Sequence, residues 1–455
     1  MPRPEDLPAE VCGPFQARKN DRPGRKYPGW REGGFSFFKW VVLAVLIGLV
    51  AGGAGALFSL CVRWATAFRE ASGWVVWLLP AAGLLIVFLY RVCGVERPKG
   101  TDLVIESISS PEPIPLIMAP LIFVATCLTH LFGGSAGREG AALQLGGSLG
   151  YHVGGLFRLD EKDLHLATMC GMTACFSALF GTPLGAAMFV MEVISVGVMY
   201  YAALVPCTIA ALTALAVSRA CGLRPTAFAV RGVPAFAVLP FVRVAALAAL
   251  CAGVSILFCY AMRAAGRLYR KYLPNQYLRA AAGGALVVLL ALVFGRDYLG
   301  MGQSAFLAAF RGTARPEAFA LKLLFTAVTL GAGFKGGEIV PAFFVGATFG
   351  CSFGGLLGLD PSFGAAIGFL SVFCGVTNCP LSAVVMSVEI FGAQGILFYF
   401  LAAGISYMLS GYSGIYVRQK ILYSKYKPYY LGVQAGGSRW AGKTGGIKRA
   451  AECGS

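Results

Sequence analysis

Apolar runs recur along the chain at roughly 35–64, 73–93, 114–132, 164–193, 198–220, 236–263, 281–295, 318–332, 341–358, 363–376, 380–394 and 396–410, and they predict helices. Several fall short of the ~20 residues that cross a bilayer. Glycine or proline interrupts others, as in "FGTPLGAAMFV" and "GEIVPAFFVGATFGCSFGG". Short, broken apolar segments mark helices that stop inside a membrane, where the released backbone groups line a site.

The pattern also repeats. "TPLGAAMFVMEV" (182–193) lies over "CPLSAVVMSVEI" (379–390) at an offset of 197, matching Pro-Leu, an alanine and a late glutamate. "GREGAALQLGGSLG" (137–150) lies over "GEIVPAFFVGATFG" (337–350) at an offset of 200, matching three glycines. Two matches in the same order at nearly equal offsets predict an internal duplication of the kind transporters use. A basic connector, "GLRPTAFAVRGVPAF" (222–236), separates the halves.

Composition supports a membrane solvent. Of 455 residues, 57% are hydrophobic and 13% charged, against about 25% charged in a soluble domain. The 60 glycines show no Gly-X-Y period and fit close helix packing instead. The net charge is +17, and basic residues cluster at both ends. Arg3, Arg18, Lys19, Arg22, Arg25, Lys26 and Arg31 crowd the start; Arg418, Lys420, Lys425, Lys427, Arg439, Lys443, Lys448 and Arg449 crowd the finish. By the positive-inside rule both termini face the cytoplasm. The tails read as topology signals and contacts to the lipid bilayer rather than as a nucleic-acid surface. The first apolar run begins only near Phe35, after a polar tail, so no signal peptide is expected.

Chemistry is sparse. The 14 cysteines are scattered, and His130, His152 and His165 have no partners at ligand spacing, so neither a metal nor a cofactor is expected. HExxH does not occur and no nucleophile–base pair is recognisable, which argues against an intramembrane enzyme. What stands out is acid in apolar surroundings: Asp102, Glu106, Glu139, Glu192, Glu338 and Glu389. A charge at the bilayer centre costs at least ~2.5–3.5 kcal/mol, so each needs a partner, water or a proton. Glu192 and Glu389 are repeat-related and close their segments, which suits helix-end hydrogen bonding. Glu139 lies between Gly137 and Gly140 at a helix start, where free N–H groups and the helix dipole attract anions. Its carboxylate can fill an anion site itself and vacate it on protonation; the plainer alternative is an ion pair with Arg138. The second half mirrors this with Glu338 ahead of Pro341, so the N–H groups near Ile339 and Val340 point toward the same centre. Lys335 either adds positive potential there or faces water.

"GREGA" with "ALQLGGSLG", "GGEIVP" with "AFFVGATFG", and "GYSGIY" resemble, in order, the motifs of the CLC family of anion channels and anion/proton exchangers. The resemblance covers most of residues 35–425. It implies an all-α polytopic membrane protein of two inverted-topology repeats with broken, tilted helices, and a homodimer with one anion pathway per subunit. It also makes Glu139 the gating glutamate, with Arg138 in support. Gly140, Ala141, Ile339 and Val340 become N–H donors to the anion, and Tyr416 donates its hydroxyl. Three departures resemble the fluoride/proton antiporter branch. "GTDLVIESI" puts Thr101 and Asp102 where chloride members have a serine; Glu338 enters the second motif; and Val193 replaces a second glutamate. Val340, where that branch has threonine, departs from it.

The expectation is therefore a multi-pass transporter of a bacterial inner membrane that moves fluoride against protons, with Glu139 and Glu338 handling the proton. A chloride/proton exchanger or passive chloride channel is the alternative. The expected organisation is a basic tail (1–34), two membrane repeats (35–220 and 221–411), a terminal helix bearing Tyr416 (412–428) and a glycine-rich tail (429–455).

Overall fold

The computed structural model describes residues 30–95, 100–109, 113–427 and 430–435; the basic tails fall outside this range except for their inner ends. Helices appear where the apolar runs lie, and they repeat. The first half contains α1 (Trp30–Ala71), α2 (Leu79–Val92), α3 (Asp102–Ser109), α4 (Met118–Leu131), α5 (Glu139–Leu156), α6 (Glu161–Phe180), α7 (Pro183–Val193) and α8 (Leu204–Ala220). The second contains α9 (Val238–Tyr272), α10 (Gln276–Phe294), α11 (Gln303–Phe310), α12 (Ala318–Gly331), α13 (Ile339–Leu356), α14 (Pro361–Thr377), α15 (Pro380–Phe391) and α16 (Ile396–Leu409). Seven helical stretches among the described residues are long and apolar enough to cross a membrane, and the remaining apolar helices are shorter. At 42 residues, α1 is about 63 Å long, roughly twice the thickness of a ~30 Å hydrocarbon core.

The breaks between helices follow from local sequence. Asp160 and Asp360 accept N–H bonds at the starts of α6 and α14, at 2.8 Å each. Gly181 and Asn378 end those helices in left-handed conformation, with φ of 71° and 61°. Proline then opens α7 and α15 in the first turn, where its missing N–H costs nothing.

The two halves meet about a two-fold relation written in hydrogen bonds. Gly137 and Gly337 exchange both backbone bonds at 2.8 Å in an antiparallel bridge. Glu192 accepts from the N–H groups of Leu381 and Ser382 at the start of α15. Its counterpart Glu389 accepts from Leu184 and Gly185 at the start of α7. Each acid thus satisfies the open N-terminus of the other repeat's helix, as expected from their positions. The glycines serve packing: a Cβ on Gly146 or Gly150 would collide with backbone of α6, and one on Gly346 or Gly350 with backbone of α14.

One expectation needs correction. Residues 412–427 do not form the expected helix, and residue 428 lies outside the described residues. Beyond α16 the chain turns at Gly411 (φ 59°) and crosses the end of α14. There Ile415 N–H donates to Val376 O, and the Gln419 amide donates to Thr377 O. It then enters a strand, β2 (Lys420–Tyr423), in a three-stranded sheet between β1 (Ser195–Val196) and β3 (Tyr430–Gln434). β-Branched and aromatic residues in "GIYVRQKILY" suit a strand, and the exposed carbonyls closing α14 hold the strap in place. This small sheet is the exception to an otherwise helical fold.

Candidate functional site

The Gly137–Gly337 bridge brings the starts of α5 and α13 together. Arg138 and Glu338 occupy the N-cap positions, and neither offers a side-chain cap, so N–H groups of the first turns remain available for another acceptor. The Glu139 carboxylate takes that place. Its Oε2 accepts from Val340 N–H at 3.2 Å and its Oε1 from Arg138 N–H at 3.0 Å. The side chain is 0% exposed. A carboxylate from one repeat therefore sits at the positive end of the other repeat's helix, where an anion is favoured. Gly337 makes the approach possible, since a Cβ there would lie 2.7 Å from both Glu139 Oε2 and Gly140 N.

The Arg138 guanidinium does not hold the carboxylate by hydrogen bonds. Nη1 donates to Ser59 Oγ at 2.8 Å and Nη2 to Leu179 O at 3.2 Å. The arginine contributes its backbone N–H and its charge.

Two cavities approach Glu139. The first, about 250 Å³, is lined by Thr101, Asp102, Gly140, Lys335, Glu338 and Tyr416, among others. The second, about 350 Å³, is lined by Arg138 and Val340. Glu139 lines neither, although its neighbours on either side belong to different cavities. Ala141 and Ile339 are buried in the first turns behind it. The fold thus gathers Thr101, Asp102, Gly140, Glu338 and Tyr416 in one chamber, Arg138 and Val340 in the other, and Glu139 between them. Tyr416 is 3% exposed and reaches the chamber from the strap. Asp102 accepts from Arg418 N–H at 3.3 Å, while the Arg418 side chain pairs with Glu106 at 3.5 Å. Lys335 faces the first cavity, with its ammonium 4.7 Å from the Tyr90 ring centroid.

Sequence reasoning passed over the groups that fix the loop ahead of Glu139. Lys322, 0% exposed, gives its ammonium to Gly300 O at 2.6 Å, Ser135 Oγ at 3.0 Å and Tyr298 O at 3.1 Å. That matches its three donors. Ser135 N–H donates to Thr329 Oγ1 at 3.1 Å, the His130 Nε2 lies 3.2 Å from Gly137 O, and Arg69 Nη1 donates to His130 O at 2.9 Å. A lone lysine inside the apolar run 318–332 was a visible signal, since intramembrane charge is rarely idle.

Comparison with known proteins agrees with this geometry. The family described as "Voltage gated chloride channel" matches residues 82–411. A "Chloride/fluoride channel protein" of Pseudomonas syringae pv. tomato is 38% identical over 396 residues, which is 85% of this chain and 88% of the relative. The "H(+)/Cl(-) exchange transporter ClcA" of Vibrio cholerae is 25% identical, covering 77% of this chain and 82% of its own. The crystal structure of a CLC-type fluoride/proton antiporter superimposes with a TM-score of 0.82 at 32% identity, covering 85% of this chain and 99% of that one. With the paired repeats, the motif order and the family match in agreement, this multi-pass membrane protein belongs to the voltage-gated chloride channel, or CLC, family.

Proposed function

We propose that the protein is a fluoride/proton antiporter that exports fluoride across a bacterial plasma membrane, with Glu139 as both gate and proton carrier. The observation that carries this reading is the Val340 N–H bond to the Glu139 carboxylate, made across the repeats between two cavities. Deprotonated, Glu139 occupies the helix N-terminus as an anion would. Protonated, it loses the charge that holds it there, and a fluoride can take its N–H partners, including those of Gly140, Ala141, Ile339 and Val340. Proton movement and anion movement then alternate through one residue.

Fluoride is small and strongly hydrated, so removing its water requires concentrated N–H and O–H donors. The first cavity offers Thr101 and Tyr416 hydroxyls and two acids, Asp102 and Glu338. Glu338 donates to a fluoride only when protonated, which ties the anion to a proton. Val193 has no titratable group, so in this reading protons reach Glu139 by way of Glu338 and its cavity. The names of the relatives at 38% and 32% identity support fluoride as substrate. Resemblance to a chloride/proton exchanger supports chloride as the second reading. The active unit in this reading is a homodimer in the bilayer, one pathway per subunit, with the basic ends cytoplasmic.

The test uses purified protein in liposomes loaded with fluoride or chloride, following anion efflux by electrode and internal pH by dye. Fluoride efflux far above chloride, with proton uptake, is the expected result. Comparable chloride efflux with coupled protons replaces the fluoride reading with the chloride one and leaves Glu338 a structural acid.

A further inference from the structure

The two repeats end their matched helices with different residues. α6 closes on Gly181 and α14 on Asn378, both in left-handed conformation with φ of 71° and 61°. Glycine takes that conformation freely, and asparagine is one of the few other residues that does so routinely. At Gly181 a side chain has no room, since a Cβ there would lie 2.5 Å from Pro225 Cα in the connector. At Asn378 the side chain is buried and fully engaged. Its Nδ2 donates to Ser413 O at 3.1 Å and to Gln419 Oε1 at 3.0 Å, while its Oδ1 accepts from Lys425 Nζ at 2.6 Å. A lysine ammonium only donates, so Lys425 fixes which way the amide faces.

These contacts clasp one short stretch of chain. Ser413 and Gln419 lie three residues to either side of Tyr416. Gln419 passes the connection on, its Nε2 donating to Thr377 O at 2.8 Å, and Ile415 N–H donates to Val376 O at 2.9 Å. Gly414 runs so near that a Cβ there would lie 2.9 Å from Asn378 Nδ2. Lys425 closes the clasp from beyond β2. Its ammonium also donates to Tyr407 O at 2.9 Å and Ser410 Oγ at 3.3 Å, and sits 4.2 Å from the Tyr407 ring centroid. Its three donors are thus spent on the ends of α14 and α16. Asn378, Gln419 and Lys425 do not line the first cavity, whereas Ile415 and Tyr416 do.

We infer that Asn378 and Lys425 are positioning residues for transport, which act by holding the Tyr416 hydroxyl at a fixed depth in the first cavity. Residues 413–419 lie between α16 and β2, with no helix or strand of their own to set their place. The clasp sets it. A hydroxyl already held in position meets an anion without a further ordering cost. The inference rests on the transport reading for the role of Tyr416, and on the hydrogen bonds alone for the clasp.

Asn378→Gly removes the clasp and keeps the left-handed helix end, which glycine already serves at Gly181. Amide hydrogen exchange of segment 413–419, followed by mass spectrometry in detergent, is expected to quicken about tenfold in this variant. In liposomes the half-saturating fluoride concentration is expected to rise about tenfold, the scale of one weakened hydrogen bond to an anion, at an unchanged maximal rate. In a Tyr416→Phe background the same substitution is expected to shift half-saturation no further, because both changes act through one hydroxyl. Lys425→Met is expected to repeat the pattern. Exchange at 413–419 equal to wild type in Asn378→Gly overturns the clasp. An unchanged half-saturating concentration, or an equal rise with and without the Tyr416 hydroxyl, overturns its action through Tyr416. If wild type moves no anion at all, the transport reading fails, and the exchange measurement alone decides whether the clasp holds the segment.

Discussion

Val340 of the second repeat donates its backbone N–H to the Glu139 carboxylate of the first, at 3.2 Å. The bond joins the repeats at the point where both cavities end. It also depends on charge, because an N–H bond to a carboxylate is roughly twice as strong as one to a neutral acceptor. Protonation of Glu139 is thus a local event that weakens a contact between the two halves.

Replacing Glu139 by glutamine keeps the shape and removes the titration. Proton flux coupled to fluoride in liposomes is expected to fall by about a hundredfold, the scale on which a positioned proton-transfer group matters. Anion movement continues, uncoupled. Dye-reported proton uptake alongside electrode-reported fluoride efflux checks both halves of this statement.

Gly337 is expected to tolerate no side chain. A Cβ there would lie 2.7 Å from both the Glu139 carboxylate and Gly140 N, and the second of these is backbone that cannot swing aside. Gly337→Ala should lose most transport, with an overpacking cost of about 1–3 kcal/mol. Thermal melting in detergent and fluoride efflux measure the two effects separately. Wild-type flux in this variant would show that Glu139 is not held as described.

Lys322→Met leaves Gly300 O, Tyr298 O and Ser135 Oγ without their cation. Unmet buried acceptors cost about 1–3 kcal/mol each, so a lower melting temperature is expected. Transport should also slow, because Ser135 belongs to the loop leading to Glu139. A variant as stable as wild type would mean that the loop is fixed by the His130 and Thr329 contacts alone.

Glu192 and Glu389 give a contrasting prediction. Glutamine at either position keeps an acceptor but loses charge, and each acid serves two N–H groups. A stability loss of about 1–3 kcal/mol is expected for each, with anion selectivity unchanged. Altered fluoride-to-chloride preference in Glu192→Gln would draw that acid into the pathway.

Much of this arrangement was legible in the chain because a two-fold relation writes the same residue types twice. The offsets of 197 and 200 residues correspond to the Glu192–Glu389 exchange and the Gly137–Gly337 bridge. Helix starts at Glu139 and Ile339 followed from glycine, charge and Pro341. The segment around Tyr416 was not legible, since its form is decided by carbonyls at the end of α14, some forty residues earlier in sequence. Nor did the chain reveal that Arg138 turns its guanidinium to Ser59 and Leu179, a choice made by α1 and α6. Lys322 was visible but was absorbed into a helix that looked uniformly apolar.

The central claim is that one glutamate alternates between anion mimic and proton carrier. It is tested most directly by placing equal fluoride on both sides of wild-type proteoliposomes and imposing a pH difference. The account predicts that fluoride moves uphill, toward the side that supplies the protons, and that Glu139→Gln leaves it at equilibrium. Fluoride that stays level in wild type, or still accumulates in Glu139→Gln, would contradict it.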